Sequence, residues 1–378
     1  MTLQTWARWR EHVEAEGMTF AAAPEYQVFP TSERPLKPYQ AVQRATRDTV
    51  GLVRNVAPDA VVADILTLAP ALAGELEGVP VATLIPHTDP RVPPGAPPYS
   101  CGARIPRTAA GRALWRAADP LLRHGLMLGR AQLNETRRRL GLPALERVHG
   151  GISEALCLVA TFPQLEYPRT WPAGTHVVGP LLWEPPAGAV APPPGREPLV
   201  LLAPSTSQDA EHRLLRAALA GLADLPVRVL ASVNRQRPDP PFVVPPNARL
   251  VDWVSYGRTM PACDLVVCHG GHGTVARALA SGCAVLVVPA AGDMNENAAR
   301  VDWAGVGVRL PRRMVGPRAI ALAAGRALAR PELGMRAREL QAWASADDSA
   351  QRAADHVERF ASGGGSGSSA RSASAASR

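Results

Sequence analysis

The architecture of this chain follows from one stretch of sequence, Asp264-Leu265-Val266-Val267-Cys268-His269-Gly270-Gly271-His272-Gly273-Thr274. Its successive apolar residues predict a strand that is buried on both faces. The segment His269–Thr274, named here the glycine-rich loop, lets the backbone come close to a ligand and leads into a helix through Ala280. Free amides at a helix N-terminus favour anions. We therefore predict a diphosphate site; a turn without a ligand is the alternative.

Short apolar runs of the same kind lie on both sides of this stretch. In the first half they occupy residues 60–63, 79–85 and 157–161, and in the second half residues 199–203, 227–231, 265–268 and 284–288. Helical patterns lie between them, for example at residues 209–222 and 274–281. Such alternation is typical of parallel, doubly wound sheets, which bind ligands at the carboxyl ends of their strands. The predicted fold class is α/β.

Changes in composition divide the chain of 378 residues. This length fits two domains. A proline-rich stretch, residues 184–198, predicts an extended linker between an N-terminal domain (residues 1–183) and a C-terminal domain (residues 199–361). Residues 362–378 are rich in Gly, Ser and Ala and predict a disordered tail.

Charge, hydropathy and cysteine content exclude several classes of function. The net charge of +8 comes from 41 basic and 33 acidic residues; apart from Lys37 the basic residues are arginines spread along the chain, so we predict no nucleic-acid partner. No long apolar run predicts a transmembrane helix, and no signal-peptide pattern is present. The 5 cysteines form no Cys-x-x-Cys pair, which predicts reduced thiols, no metal site and a cytoplasmic protein.

Three features around the glycine-rich loop extend the predicted site. Trp253 offers a flat face to a nucleobase, although a core tryptophan is an equal alternative. Asp293 follows the next strand and can accept hydrogen bonds from sugar hydroxyls, unless it is only a helix N-cap. Thr206, after the strand at residues 199–203, offers a hydroxyl to a phosphate or caps a helix.

The order of these motifs, Trp…His-Gly-Gly-x-Gly-Thr…Pro-x-x-x-Asp, resembles the signature of the family 1 glycosyltransferases. More narrowly, it resembles the bacterial macrolide-type enzymes that decorate natural products. Segments 58–64, 85–87 and 178–181 are also similar to that family. The resemblance implies the GT-B fold, in which two Rossmann-like domains face each other across a cleft. It also implies inverting transfer of a sugar from a UDP- or TDP-linked donor to a hydroxyl of a small apolar acceptor, with no metal or other cofactor.

The same resemblance implies roles for individual residues. The implied donor-binding residues are Trp253 and Val254 at the base, Thr206, His269, Gly270, Gly271, Gly273 and Thr274 at the diphosphate, and Asp293 and Met294 at the sugar. The first half would bind the acceptor, and residues 87–101, named here the 87–101 loop, would form one wall of its site.

The sequence departs from the family in three places. Met294 stands where the family usually has Gln, and Arg277, predicted to face solvent, stands where many relatives have Glu. The strand, glycine-rich turn with the catalytic histidine, and helix with which the family opens find no match before residue 50. We therefore expect an incomplete N-terminal domain with an exposed apolar edge. Asp64 would then be a relay acid without its histidine, and His12 a surface residue.

These departures leave three hypotheses open. The first is a glycosyltransferase whose reading frame is set to start too late. The second is a non-catalytic nucleotide-sugar-binding or auxiliary protein. The third is a nucleotide-sugar epimerase, which would be expected to place several carboxylates in the cleft, where the sequence offers few.

Overall fold

The computed structural model of the protein describes residues 1–24, 40–188, 190–205, 211–235, 241, 243–290 and 292–363. The strands of the N-terminal half are Thr2–Thr5 (β1), Thr19–Ala22 (β2), Val61–Asp64 (β3), Val81–Ile85 (β4), Cys157–Val159 (β5) and Thr175–Val177 (β6). Its helices are Arg10–Ala15 (α1), Gln40–Val56 (α2), Leu68–Leu76 (α3) and Ala109–Arg139 (α4).

The C-terminal half continues the alternation of strands and helices. Its strands are Leu199–Ala203 (β7), Arg228–Ser232 (β8), Ala248–Val251 (β9), Leu265–Cys268 (β10), Ala284–Val287 (β11) and Gly307–Arg309 (β12). Its helices are Arg213–Leu222 (α5), Tyr256–Thr259 (α6), His272–Ala280 (α7), Asp293–Ala304 (α8), Pro317–Leu328 (α9), Pro331–Ala346 (α10) and Ser349–Ala361 (α11).

The C-terminal half is built on a parallel sheet with the strand order β12-β11-β10-β7-β8-β9. Leu201 and Val266 pack on one face with residues of α7 and α10, while Val200 and Val267 pack on the other with residues of α5 and α9. Because both faces are covered, the strands need apolar residues at every position. The predicted α/β fold class with doubly wound parallel sheets is confirmed.

The N-terminal half contains a parallel sheet of order β3-β4-β5-β6 and a separate parallel pair, β1 and β2. In the part of the chain that the structure describes, no strand pairs with the outer edge of β3. Val62 on this strand is 41% exposed. This arrangement agrees with the apolar edge expected from the sequence.

The chain passes between the two sheets twice. After β6 it leaves through the 184–198 stretch, whose described residues form neither helix nor strand and where Glu184 Oε1 accepts a hydrogen bond from Gly257 N at 3.0 Å. At the end, α11 returns to the N-terminal sheet, where Ala353 is buried against Ala82 and Leu158. The two passages touch, since a Cβ on Gly179 would lie 2.2 Å from Ser349 Oγ. None of the described helices combines the length and apolar character that crossing a membrane requires.

Candidate active site

The glycine-rich loop lies at the point where the strand order of the C-terminal sheet reverses. From β7 the chain proceeds outward to β8 and β9, whereas from β10 it proceeds the other way to β11 and β12. Ala203 and Cys268 are register partners at the carboxyl ends of β7 and β10, and His269 Nδ1 lies 3.3 Å from the Ala203 carbonyl oxygen. Such reversal points leave a crevice, which is where open parallel sheets bind ligands.

Helix α7 begins with amides that have no partner within the helix. Its first regular hydrogen bond runs from Val275 N to Gly271 O at 3.1 Å, so the amides of residues 272–274 precede the ladder. Gly270 has a φ of +88°, and a Cβ there would lie 2.8 Å from Val287 Cγ1. A Cβ on Gly273 would meet nothing within 4 Å. The loop is thus tightly packed at Gly270 and open at Gly273, in the first turn of α7.

Two arginines that the sequence did not single out stand beside this loop. Arg213, at the start of α5, and Arg312, after β12, line a small cavity together with His269. Arg312 Nη1 donates to Ala290 O at 2.6 Å, which ties it to the segment after β11. The cavity therefore combines guanidinium groups with an imidazole, a composition that suits phosphate oxygens.

Trp253 lies after β9 at the same edge of the sheet. The Trp253 ring is half-buried, while Val254 is fully buried. The guanidinium carbon of Arg235 lies 5.0 Å from the Trp253 ring centroid, so a cation already stacks on this indole. The half-buried indole thus has one face within reach of a planar cation.

Asp293 and Met294 open helix α8 beside the glycine-rich loop. Gly292 occupies the N-cap position, so the alternative that Asp293 is the cap is wrong. A Cβ on Gly270 would lie 3.1 Å from Met294 O, which places the start of α8 directly against the loop. Thr206, the remaining predicted donor residue, lies outside the described residues.

The N-terminal half faces this site with the ends of β3 and β4. Asp64, at the end of β3, accepts a hydrogen bond from Leu66 N at 2.7 Å, and burial raises the pKa of its carboxyl. The 87–101 loop follows β4 and extends toward α8, where a Cβ on Gly102 would lie 2.9 Å from Asn295 Cβ. Tyr99 from this loop is close enough to Asp293 for the carboxylate to raise the tyrosine pKa, although burial raises it most.

Comparison with known proteins shows which enzymes this chain resembles. Residues 216–360 match the family described as Erythromycin biosynthesis protein CIII-like, C-terminal domain. The chain is 29% identical over 328 residues to 4'-demethylrebeccamycin synthase of Lentzea aerocolonigenes, covering 82% of this chain and 76% of the relative. It is 28% identical over 323 residues to a PGL/p-HBAD biosynthesis glycosyltransferase of Mycobacterium tuberculosis, covering 81% of this chain and 70% of the relative.

The chain is a glycosyltransferase, and it is similar along most of its length to enzymes of natural-product biosynthesis. Solved structures agree in fold. The glycotransferase of kitacinnamycin superposes with a TM-score of 0.71 at 19% identity, covering 95% of this chain and 90% of that one. Glycosyltransferase VinC in complex with dTDP superposes with a TM-score of 0.66 at 20% identity, covering 96% and 92%. The predicted GT-B architecture is therefore confirmed.

In this glycosyltransferase a buried ion network joins the two halves beside the site. Arg300 of α8 is 1% exposed; its Nε bonds Glu296 Oε1 at 2.9 Å and its Nη1 bonds Glu166 Oε2 at 2.8 Å. Glu166 Oε1 in turn accepts from Asp89 N, in the 87–101 loop, at 2.7 Å. The network thus connects the helix that carries Asp293 with the loop that carries Tyr99.

One sequence-based expectation about another residue of the glycosyltransferase is wrong. Arg277 does not face solvent: it is half-buried and donates to the Leu182 carbonyl, because the chain passes α7 as it enters the linker. His12 is partly exposed, and its ring packs on the exposed Trp183 with centroids 5.9 Å apart. The prediction of free thiols is confirmed for all the cysteines, and no cluster suited to a metal ion occurs among the described side chains.

We expect the folded protein to lose stability in acid because His272, in the glycine-rich loop, is buried in its neutral form. Burial and, to a lesser extent, the nearby charge of His87 lower the pKa of His272 to about 4. Nδ1 lies 3.4 Å from Asn297 Oδ1, and Nε2 is buried without a hydrogen-bond partner in the described structure. The unfolded chain takes up this proton near pH 6.5, so the contribution is complete above that pH and is lost as the pH falls toward 4. We expect a cost of about 2 kcal/mol between pH 7 and pH 5.

Chemical denaturation at the two pH values tests this expectation. The variant His272→Ala should lose less stability on acidification than the wild type, by that same amount. His124→Ala, which removes an exposed histidine from α4, is the matched control and should keep the wild-type pH dependence. Equal pH dependence in all three proteins would contradict the assignment of this proton to His272.

Proposed function

We propose that this glycosyltransferase moves a sugar from a nucleoside diphosphate sugar to a hydroxyl of a small apolar acceptor, with inversion at the anomeric carbon. One observation carries the proposal: His269, which lies three residues before the start of α7, lines a cavity together with Arg213 and Arg312, and the first amides of α7 have no partner within the described helix. Helix amides and guanidinium groups together are suited to the two negative phosphates of such a donor.

The two ends of the donor would lie on either side of this diphosphate site. The Trp253 ring would stack on the base in the place where Arg235 now lies over it. Asp293 would accept hydrogen bonds from sugar hydroxyls. Met294 cannot donate a hydrogen bond, so the sugar contact there would be apolar. The bound dTDP named for VinC supports a thymidine donor, and a uridine donor fits the same features.

The proposed chemistry depends on stabilising the negative charge that develops on the leaving diphosphate. The acceptor oxygen attacks the anomeric carbon as the bond to the diphosphate breaks, and negative charge grows on the leaving phosphate. The α7 amides and the two arginines would stabilise that charge more strongly in the transition state than in the bound donor. No metal or other cofactor is required by this scheme, because the cationic groups of the chain would take that part.

The acceptor would bind in the N-terminal half, against the 87–101 loop. The name 4'-demethylrebeccamycin synthase, carried by a relative, supports a natural product as acceptor. Its free thiols support a cytoplasmic setting for this enzyme.

A donor screen tests the proposed function. TDP- and UDP-linked sugars are each incubated with the protein and a panel of aromatic and polyketide aglycones, and products are detected by mass spectrometry. We expect at least one pair to give a glycoside with inverted configuration. Binding of TDP or UDP without any product would favour a non-catalytic nucleotide-sugar-binding protein instead.

Replacing Trp253 tests the position of the base. Trp253→Ala is expected to weaken TDP or UDP binding about tenfold to a hundredfold, because stacking of one base contributes about 1–3 kcal/mol. Isothermal titration calorimetry measures the change. Trp6→Ala, at a tryptophan that is 49% exposed near the N-terminus, serves as the control and should bind as the wild type does. Unchanged affinity in Trp253→Ala would place the base elsewhere.

A further inference from the structure

Helix α4 is long and mostly uncovered. Of its 31 residues only Leu133, Thr136 and Arg137 are buried, and all of them lie near its C-terminal end. Every residue from Ala109 to Gln132 is half-buried or exposed. A helix on the surface of a folded domain normally buries an apolar stripe along its length. The part of α4 before Leu133 therefore leaves apolar side chains uncovered by the described structure.

Three large apolar side chains form a row along this part of α4. Leu114 is 70% exposed, Leu121 76% and Leu128 55%. Each follows the previous one by seven residues, which is about two helical turns, so they lie on the same side of the helix. We name these residues the leucine row. Single exposed leucines are ordinary on a protein surface, whereas a continuous exposed row indicates an interaction surface.

Four arginines form a second row on the same helix. Their spacings of four, seven and seven residues place them on one side, and we name Arg112, Arg116, Arg123 and Arg130 the arginine row. The first three are exposed, while Arg130 is half-buried and donates to the Glu146 carbonyl. The strip of α4 between the two rows carries exposed residues that are mostly apolar, namely Ala113, Ala117, Pro120, His124 and Met127.

Acidic residues are scarce on α4. The two that it contains are Asp119, which is half-buried, and Glu135, which pairs with Arg138 at 2.8 Å and with Arg139 at 2.7 Å. The whole chain has a net charge of +8. An exposed apolar strip bordered by arginines is the composition of helices that lie on the surface of anionic membranes.

We propose that α4 is a docking surface for a lipid bilayer with anionic headgroups. The helix lies in the plane of the bilayer surface, with the leucine row and Met127 among the upper parts of the acyl chains. The arginine side chains reach the phosphates of the headgroups, because their long aliphatic stems can follow the apolar strip. The interaction is peripheral and reversible, since only a few large side chains enter the apolar layer.

The contact between α4 and the 87–101 loop determines what docking brings to the lipid. A Cβ on Gly95, in this loop, would lie 3.3 Å from Arg116 Cγ and 3.1 Å from Arg112 O. Docking of the arginine row therefore places the 87–101 loop close to the headgroups. An apolar acceptor dissolved in the bilayer would leave it beside its predicted site, a consequence that rests on the proposed function; the docking itself does not.

A second copy of the chain does not match this surface as well as a bilayer does. Paired helices need apolar residues at two positions in every seven, three or four residues apart. The positions three and four residues after each leucine of the row hold small or polar residues, namely Ala117, Ala118, His124, Gly125, Ala131 and Gln132. A second copy would also bring the same positive charge. A fluid bilayer needs no matching seam and supplies the opposite charge.

Vesicle flotation with the full chain tests the proposal. Vesicles of phosphatidylcholine alone are compared with vesicles that also contain phosphatidylglycerol. We expect the protein to float with the anionic vesicles and to be released from them by high salt, which screens exposed charges. It should stay unbound with phosphatidylcholine alone, because a small apolar surface without charge attraction binds lipid only marginally.

Two variants of α4 separate the apolar from the charged part of the surface. Leu114→Ser, Leu121→Ser and Leu128→Ser together should weaken vesicle binding about 100-fold or more, because the leucines lose their burial in lipid. Arg112→Gln with Arg123→Gln should weaken it about 30-fold, since each basic residue near an anionic surface contributes about fivefold. Both variants should keep the wild-type melting temperature, because the replaced side chains are exposed.

Matched controls lie in the C-terminal half. Met314→Ser, Leu322→Ser and Met335→Ser together remove large apolar side chains that are 55%, 65% and 52% exposed and lie on separate elements. Arg318→Gln with Arg326→Gln removes two exposed arginines of α9. Both control proteins should bind the anionic vesicles as the wild type does.

Three results would overturn the inference. The first is a folded wild-type protein that does not bind anionic vesicles, whether or not α4 binds an acidic protein instead. The second is wild-type binding by the leucine-row variant. The third is a dimer, detected by light scattering, that the leucine-row variant dissociates, because a second copy would then cover α4. Calorimetry with TDP and UDP tests the proposed function separately: a protein that binds vesicles but neither nucleotide keeps this inference and loses that function.

Discussion

Arg300→Met is expected to lower the free energy of unfolding by about 3–5 kcal/mol, because it leaves the buried Glu296 without its counter-charge and leaves Glu166 with Arg169 alone. Arg300 pairs with Glu166 at 2.8 Å and with Glu296 at 2.9 Å, and it donates to Leu165 O at 2.9 Å. Its guanidinium also lies 4.3 Å from the Tyr167 ring centroid. Methionine fills a similar volume, so the loss reports mainly the charge. Chemical denaturation measures it.

Arg104→Met is the matched control for this prediction. Arg104 likewise approaches α8, with its Nε 2.9 Å from Asp302 Oδ2, but its side chain is 71% exposed. An exposed pair contributes about 0–1 kcal/mol, so this variant should be nearly as stable as the wild type. If Arg300→Met were no less stable than Arg104→Met, the buried network would not hold the two halves together.

Gly273→Leu is expected to abolish measurable binding of TDP and UDP while the fold stays intact. A Cβ on Gly273 meets nothing within 4 Å, so the side chain can be accommodated. It would, however, cover the amides at the start of α7. Two lost hydrogen bonds to a charged phosphate, at about 1.5–3 kcal/mol each, weaken binding by about 100-fold or more. Calorimetry with TDP measures the affinity, and thermal unfolding measures the fold.

A glycine-to-leucine substitution at Gly325, away from the site, provides the control for Gly273→Leu. Gly325 lies in α9, and a Cβ there also meets nothing within 4 Å. Gly325→Leu should bind TDP as the wild type does, and both variants should be at least as stable as the wild type, because leucine favours helix over glycine. Tight TDP binding by Gly273→Leu would mean that the diphosphate does not lie over α7.

The long buried strands were predictable because a strand covered on both faces is apolar at every position, and such a run can be recognised in a short stretch of sequence. The predicted runs at residues 199–203 and 265–268 coincide with β7 and β10, which are covered on both faces and so are apolar throughout. Strands β6 and β12 have three residues each and lie at sheet edges, so they carry no comparable run. Strands β1, β2 and β9 also have no counterpart among the predicted runs, because most of their residues are only partly buried.

The part of the site that lies in one continuous segment was also predictable. The strand, the glycines and the helix start of residues 264–274 follow each other in the sequence. Arg213 and Arg312 could not be found this way, because they reach His269 from separate elements. Sequence alone likewise gives no reason to bury an arginine in α8, and only the tertiary fold brings Glu166 to Arg300.

The placement of Asp64 and His87 at one edge of the N-terminal sheet could also have been predicted from the sequence. Both residues follow predicted strands, and parallel neighbouring strands place their carboxyl ends side by side. The pairing of β3 with β4, with Asp64 opposite Leu84, brings the two residues to the same edge.

The contact between Gly179 and Ser349 has a mechanical consequence. The two halves are joined by two chain segments, and these segments meet where a Cβ on Gly179 would lie 2.2 Å from Ser349 Oγ and where Arg352 Nε bonds Val178 O at 3.1 Å. Two adjacent chain connections favour a rotation of the halves about the line through them, and such a rotation would have to separate Arg300 from Glu166. In such a rotation, residues near the contact between Gly179 and Ser349 would move least. Residues at the outer edge of the crevice would move most.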